Sequence, residues 1–173
     1  DGQREDLIKT ADALIVADNR RTLPEFVIET VLARRLHPQA GRAVPVRYHD
    51  LREIRADCAL LLSLVAHVGA ANVAAEPDDL FLEGAAQCPQ LQLRREDLLA
   101  ASAIDFIAAR DALERAHQLA PLAKPVLIKA LLAAGGRRDP MPVGLADLLR
   151  AICAAIEAPV PPAVADSYTA HHW

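Results

Sequence analysis

Cysteine, lysine and aromatic residues are all scarce in this sequence. The 173 residues include three cysteines, separated by 29 and 64 residues. An odd number at these spacings indicates neither a disulfide framework nor a CxxC metal clip, so we expect Cys58, Cys88 and Cys153 to be reduced and mostly buried. Lysine supplies only 3 of the 19 basic residues, and the formal net charge is −4. The chain has no general basic field, and nucleic acid is not expected as a partner.

Targeting signals are also missing. The sequence opens DGQREDLIKT, without an initiator methionine or a basic-then-apolar signal pattern, so we expect a fragment of a longer protein. Residues 58–75 carry no formal charge and reach the lower length limit of a membrane-spanning helix. Because Ser63, His67, Gly69 and Asn72 interrupt this run, we predict a buried helix of a soluble fragment instead.

The common catalytic motifs are absent from the sequence as well. A zincin needs HExxH, which places two imidazoles on one ion with a glutamate beside them. No two of the histidines have that spacing: His37, His49, His67, His117, His171 and His172. No serine lies in a GxSxG elbow, and the Gly135-Gly136 pair lacks the other residues of a phosphate loop. The fragment is therefore not expected to be an enzyme or to hold a cofactor.

Alanine and leucine dominate what is present. They supply 35 and 25 of the 173 residues, and aromatics make up 3%. Both residues are strong helix formers. A chain of this length can also bury roughly 70% of its unfolded surface, so a real core is available. The composition predicts a single all-α domain of about six to eight helices.

The N-terminal third predicts two helices and a connector. Residues 3–17 form the first predicted helix, and 22–36 the second. Thr22 and Glu25 have capping-box spacing with a proline in the first turn. The second helix should stop before His37-Pro38 and bury Phe26, Val27, Thr30, Val31 and Leu36. Residues 38–48 are expected to form an extended connector.

The rest of the chain predicts a central helix and four others. A helix from about Asp50 to Gly69 is apolar on most sides and belongs at the centre of the fold. Its apolar stripe is predicted at Leu51, Ile54, Cys58, Leu61, Val65 and Val68. A short helix should follow Pro77, and helices are then expected over residues 96–118, 122–134 and 139–158. The helix over 96–118 should turn inward Leu99, Ala103, Ile104, Ile107 and Ala108, and the last helix Leu145, Leu148, Leu149, Ile152 and Ile156. The helical domain would thus cover residues 1–158, and the Pro-rich residues 159–173 are expected to form an extended tail.

The two ends of the chain are alike. Residues 15–25 (IVADNRRTLPE) align with 132–142 (LAAGGRRDPMP), each a helix end, a break with two arginines and a helix start with proline. This predicts two similar helical hairpins, near residues 5–36 and 122–157.

The turn from Ala17 to Glu25 resembles the hairpin of tellurite-resistance TerB-like domains. The order of segments resembles the cytoplasmic C-terminal region of bacterial HtpX-like membrane zinc metallopeptidases. Three stretches carry this likeness: LIVADNRRTLPEFVIETVLARRL (14–36), LERAHQLAPLAKPVLIKALLAA (113–134) and LADLLRAICAAIEAPVPP (145–162).

This resemblance implies a non-catalytic accessory domain of a membrane-bound peptidase, at the cytoplasmic face of the bacterial inner membrane. Zinc would belong to the parent's catalytic domain. The expected contacts are with a protein partner, with the parent's own catalytic domain or with a second copy.

The alternative is a stand-alone TerB-like module that binds a cation or a stress ligand. Asp18 and Glu25, with Asn19 between them, are its candidate metal ligands, because oxygen groups in a tight turn suit hard cations. Simple helix capping by the same residues is the competing interpretation. The second turn has Gly135 and Pro142 at the matching positions, so its acidic groups are lost.

Four arginine pairs lie near predicted helix ends: Arg20-Arg21, Arg34-Arg35, Arg94-Arg95 and Arg137-Arg138. Arginine at such positions is commonly a solvated residue that favours the helix dipole. Contact with anionic lipid headgroups is the alternative that the resemblance raises.

Overall fold

The chain is all-α in the part that the structure describes. The computed structural model describes residues 22–38, 40–71 and 74–167. Seven α-helices and no β-strand are found there: α1 Leu23–Leu36, α2 Arg55–Ala70, α3 Pro77–Ala85, α4 Phe106–His117, α5 Lys124–Ala134, α6 Val143–Ile156 and α7 Pro162–Ala165. This confirms the predicted fold class. The predicted first helix, residues 3–17, lies outside the described residues, so the likeness of the two hairpins stays a prediction.

Helix α2 occupies the centre, as its sequence predicts. The helix contacts α3, α4, α5 and α6, and the short 3₁₀ turn Leu51–Ile54 leads into it. All six residues of its predicted stripe are buried: Leu51, Ile54, Cys58, Leu61, Val65 and Val68. None of the helices in the described ranges combines the length and the apolar character needed to cross a membrane.

Glycines bring α2, α3 and α5 into close contact. Gly69, predicted to end the central helix, lies inside α2, and a Cβ there would be 2.5 Å from the Gly135 carbonyl oxygen. In α3, a Cβ on Gly84 would be 2.8 Å from the carbonyl oxygen of Ala130. These glycines are therefore required by packing against neighbouring backbone rather than by helix termination.

Helix α1 begins at the predicted capping box. The Glu25 backbone N–H donates to Thr22 Oγ1 (3.3 Å), and the Thr22 N–H donates to Glu25 Oε2 (3.0 Å). Phe26 is buried and stacks on Phe106 of α4 with ring centroids 4.9 Å apart. The inward position predicted for Leu36 is wrong, because this side chain is 77% exposed at the helix end.

The helix predicted over 96–118 is only half correct. Helix α4 begins at Phe106, where Asp105 Oδ1 accepts a hydrogen bond from the Ile107 N–H (2.9 Å). Ala103 and Ile107 were both predicted to face inward, and both are exposed. The earlier residues instead form the 3₁₀ turns Arg95–Asp97 and Ala101–Ala103.

Side chains of α2 explain why helix α4 does not start earlier. Ser63 Oγ accepts from the Leu99 N–H (3.0 Å), and His67 Nε2 bonds the Leu99 carbonyl oxygen (2.8 Å). Both backbone groups of Leu99 are therefore satisfied without a helix. These contacts also account for Ser63 and His67, the two polar residues in the otherwise apolar stretch from Cys58 to the end of α2.

The C-terminal helices differ from prediction at their ends. Helix α6 begins at Val143 rather than at Asp139, and it ends at Ile156, where Glu157 adopts a left-handed conformation with φ 54°. All five predicted core positions of α6 are buried: Leu145, Leu148, Leu149, Ile152 and Ile156.

The prediction of an extended tail is wrong for residues 162–165, which form α7. Val164 is fully buried, so this short helix docks on the domain. Arg150 Nη2 of α6 donates to the Val164 carbonyl oxygen and to Ser167 Oγ (2.7 Å). The hydrogen bonds from Arg150 and the buried Val164 side chain therefore hold residues 162–167 against the domain. The proline content of this segment had predicted an extended chain instead.

Candidate binding surfaces

The predicted cation site is only partly within the described structure. Asp18 and Asn19 lie outside the described residues. Glu25 uses one carboxylate oxygen to accept the N–H of Thr22 in the capping box. Within the described ranges, no group of three or more His, Cys, Asp or Glu side chains is arranged to hold a metal ion. Cation binding by Asp18 and Glu25 stays a prediction.

The arginine pairs lie in different environments. Arg20-Arg21 is outside the described residues. Arg95 contacts Asp78 (2.8 Å) and Asp79 (3.3 Å) in the first turn of α3, which neutralises much of its charge. Arg34 belongs to a partly buried ionic cluster, and Arg137 and Arg138 line a cavity. The described pairs therefore have separate roles.

Three adjoining cavities form a groove beside the C-terminal end of α5, which we call the α5 groove. The central cavity has a volume of about 520 Å³. Its walls combine cations with apolar side chains: Lys129, Leu132, Ala133, Arg137, Arg138, Met141 and Ala163, together with Gln87, Gly136 and Asp139. A concave apolar surface with a few converging polar groups is typical of a binding site.

The groove extends from the central cavity in two directions. A cavity of about 540 Å³ toward α3 shares Gln87, Ala133, Gly136 and Arg137 with it. A smaller cavity of about 310 Å³ toward α7 shares four other residues: Arg138, Asp139, Met141 and Ala163. Three cations and one carboxylate line the central part, whereas Glu83 and Asp166 lie in the outer parts.

Helical periodicity brings the α5 side of this groove together. Lys129, Leu132 and Ala133 are spaced at i, i+3 and i+4 within α5, which puts them on one face, and Gly136 lies in the turn after the helix. Arg137-Arg138 stood out in the sequence, but Lys129 and Met141 did not. The helical spacing from Lys129 to Ala133 was a usable signal for the lysine. The position of Met141 depends on the path of the loop before α6.

A second surface lies on α1. Ile28, Leu32 and Leu36 are 58%, 48% and 77% exposed and are spaced by four residues, so they form one apolar ridge, the α1 ridge. The opposite face of the same helix buries Leu23, Phe26 and Thr30. Helix α1 therefore presents apolar side chains on two faces, whereas an ordinary surface helix does so on one.

A partly buried ionic cluster joins the ends of three helices. Arg34 of α1 forms an ion pair with Glu157, which follows α6. His117, the last residue of α4, has its Nε2 3.0 Å from Arg34 Nη2 and 3.1 Å from Glu157 Oε2. An arginine can only donate, so its bond to Nε2 requires a neutral imidazole with the proton on Nδ1.

The surroundings of this cluster lower the pKa values of its titratable groups. Burial lowers the pKa of His117, and the neighbouring Arg34 and Lys124 cations lower it further, against the opposing effect of Glu157. The hydrogen bond from Arg34 and the charge of that guanidinium lower the pKa of Glu157. Burial also lowers the pKa of Lys124. The folded state therefore favours a neutral histidine between an arginine and a carboxylate.

Acidification is expected to destabilise the protein through His117. Below the unfolded pKa of 6.5, the unfolded chain binds a proton that the native imidazole resists. The contribution of the neutral imidazole to stability is therefore complete above pH 6.5 and is lost as the pH falls from there through the lower native pKa. Glu157 adds a loss in the same direction below its own unfolded pKa of 4.5. Thermal melts followed by circular dichroism at pH 7.5 and pH 5.5 should show a lower Tm at the acidic value.

The variant His117→Gln should flatten this pH dependence while leaving a hydrogen-bonding side chain near Arg34. His49→Gln is the matched control, because His49 is exposed on the connector before α2. The control should keep the wild-type difference between the two pH values. A His117→Gln protein that kept the full difference would contradict this role for the cluster.

The cysteines are placed as predicted. Cys58, Cys88 and Cys153 are free thiols, and all three are buried. Burial raises the pKa of Cys58 to about 12 and that of Cys153 to about 11. Thiolate formation near neutral pH is thus strongly disfavoured at both positions, which is typical of core residues rather than nucleophiles.

Comparisons with known proteins add no relative. No family model matches the chain, and no curated protein or solved structure matches it either. Functional inference therefore depends on the surfaces described above and on the resemblance seen in the sequence.

Proposed function

We propose that the chain is a non-catalytic accessory domain from the cytoplasmic part of a membrane-bound zinc metallopeptidase of the HtpX-like kind. Its role is protein–protein contact, with the parent's own catalytic domain as the partner. The α1 ridge is the observation that carries this proposal. A row of three exposed aliphatic side chains on one helix is more typical of a contact surface than of free surface.

The segment resemblance and the ridge support the same role. One of the three stretches that carry the likeness, residues 14–36, contains α1 and its ridge. The buried face of α1 packs mainly on α6, and all of α6 except its first two residues falls within another of these stretches. The ridge is thus held on a rigid base, which favours a defined contact.

Photo-crosslinking in the natural full-length polypeptide tests this proposal. A photoreactive benzoylphenylalanine in place of Leu36 should crosslink to residues of the peptidase domain that precede this chain. The matched control carries the same group in place of Ser102, which is exposed on a 3₁₀ turn packed against α2. Crosslinks from position 36 alone support the proposal. Equal or absent crosslinking at the two positions would contradict it.

A further inference from the structure

The α5 groove has a charge pattern that a purely structural cleft would not need. Arg34, Arg95 and Arg115 each form an ion pair with a carboxylate. Lys129 and Arg137 differ, because neither makes an ion pair or hydrogen bond with another residue of the described ranges. Within the described ranges these two cations have no ion pair or hydrogen bond, and they line the same cavity as the cation Arg138 and the carboxylate Asp139.

We propose that the α5 groove binds an acidic peptide segment of a protein partner. Carboxylates of that segment would face Lys129 and Arg137, and an apolar side chain beside them would rest on Leu132 and Met141. This site is separate from the α1 ridge, and it does not depend on the identity of the parent polypeptide.

Charge complementarity selects an acidic ligand. The central cavity has a formal charge of about +2, from three cations and one carboxylate. The whole chain carries −4, so the positive charge is a local feature of the central cavity. A local positive patch on an acidic protein attracts a short anionic segment, whereas the negative charge on the rest of the protein repels larger anionic partners.

The apolar floor selects a peptide over a bare anion. Leu132, Ala133, Met141 and Ala163 line the central cavity beside the cations. A phosphate group alone would leave this surface in water, whereas an aliphatic side chain would cover it.

The shape of the groove favours an extended chain. The central cavity continues toward α3 and toward α7, with four shared residues at each junction. Glu83 and Asp166 in the outer parts disfavour further negative charge there. The preferred segment therefore concentrates its acidic residues at its middle. A polyanion such as RNA or an anionic membrane lacks that pattern.

Peptide titration with the whole chain tests the proposal. The probe is a fluorescein-labelled heptapeptide with its acidic residues at the middle, Gln-Leu-Glu-Glu-Glu-Leu-Gln, and its binding is followed by fluorescence anisotropy at low ionic strength. We expect saturable binding that Lys129→Glu with Arg137→Glu weakens by about tenfold or more, since each substitution turns attraction into repulsion. Heptaglutamate should bind about fivefold more weakly, because it cannot cover the apolar floor.

The control variant is Arg42→Glu, which changes an exposed arginine on the connector far from the groove in sequence. It should bind the heptapeptide as the wild type does. Thermal melts of all variants show whether the fold is retained, and reversal of exposed charges should change stability little.

Several results would overturn the proposal. The first is absence of heptapeptide binding by the wild type. If Arg42→Glu weakened heptapeptide binding as much as the Lys129→Glu/Arg137→Glu variant, the attraction would come from the overall charge of the protein and not from the groove. Equal affinity for heptaglutamate, or displacement by millimolar inorganic phosphate, would identify a plain anion site instead. Displacement by phosphatidylserine vesicles but not by neutral vesicles would assign the groove to lipid headgroups.

Discussion

Replacing Gly69 with alanine is expected to lower the free energy of unfolding by about 3 kcal/mol, the upper end of the usual cost of overpacking. The new methyl group would lie 2.5 Å from the carbonyl oxygen of Gly135 and 2.8 Å from its carbonyl carbon. A flexible side chain could turn away, but these are backbone atoms, so α2 and the end of α5 would have to separate. Urea denaturation followed by circular dichroism measures the loss.

Gly144→Ala is the matched control for this substitution. Gly144 lies in the first turn of α6 and is only partly buried. Alanine favours helix over glycine, so this variant should be as stable as the wild type or slightly more stable. If Gly69→Ala were as stable as Gly144→Ala, the close approach of α2 to Gly135 would be refuted.

Truncating Phe106 to alanine is expected to cost about 3–5 kcal/mol, the range for a fully buried aromatic. Phe106 is 0% exposed, and its ring stacks on Phe26 with an interplanar angle of 24°. The substitution would open a cavity between α1 and α4 and remove the stacking contact. The midpoint of urea denaturation should fall strongly.

Phe106→Leu provides the matched comparison, because leucine retains most of the apolar volume. Its cost should be clearly smaller than that of alanine. The pair Phe26→Ala and Phe106→Ala should also be less than additive, since each removes the same contact. Additive losses, or a cost below about 1 kcal/mol for Phe106→Ala, would contradict this description of the core.

The sequence was most informative where local patterns and burial agree. The stripe of α2 and the core positions of α6 follow from helical periodicity, and each predicted residue of these two sets is buried. The Thr22–Glu25 capping box follows from residue types at fixed spacing. These features depend on near neighbours in the chain, which is why they could be predicted.

Predictions were wrong where distant residues decide the local structure. The turns before α4 depend on Ser63 and His67 of α2, which bind Leu99 more than thirty positions away in the sequence. The docking of α7 depends on Arg150 in the same manner. Such contacts override an apolar pattern that is helical by itself.

The candidate surfaces were only partly predictable. The Arg137-Arg138 pair was recognised, but its place in a cavity with Lys129 and Met141 requires the fold of the α5–α6 connection. The α1 ridge was partly mistaken for core, since Leu36 is apolar like the buried Phe26 but lies with Ile28 and Leu32 on the opposite face of the helix. Periodicity identifies apolar residues on a helix but does not say which of two apolar faces the domain covers.

The most direct test of the proposed function is to determine the coding sequence that precedes Asp1 in the natural gene. We expect an open frame that continues upstream and encodes an HExxH helix flanked by membrane-spanning segments, since that helix carries the zinc chemistry of a metallopeptidase. A start codon immediately before Asp1, or an upstream domain without HExxH, would contradict the assignment of this chain to a membrane zinc metallopeptidase.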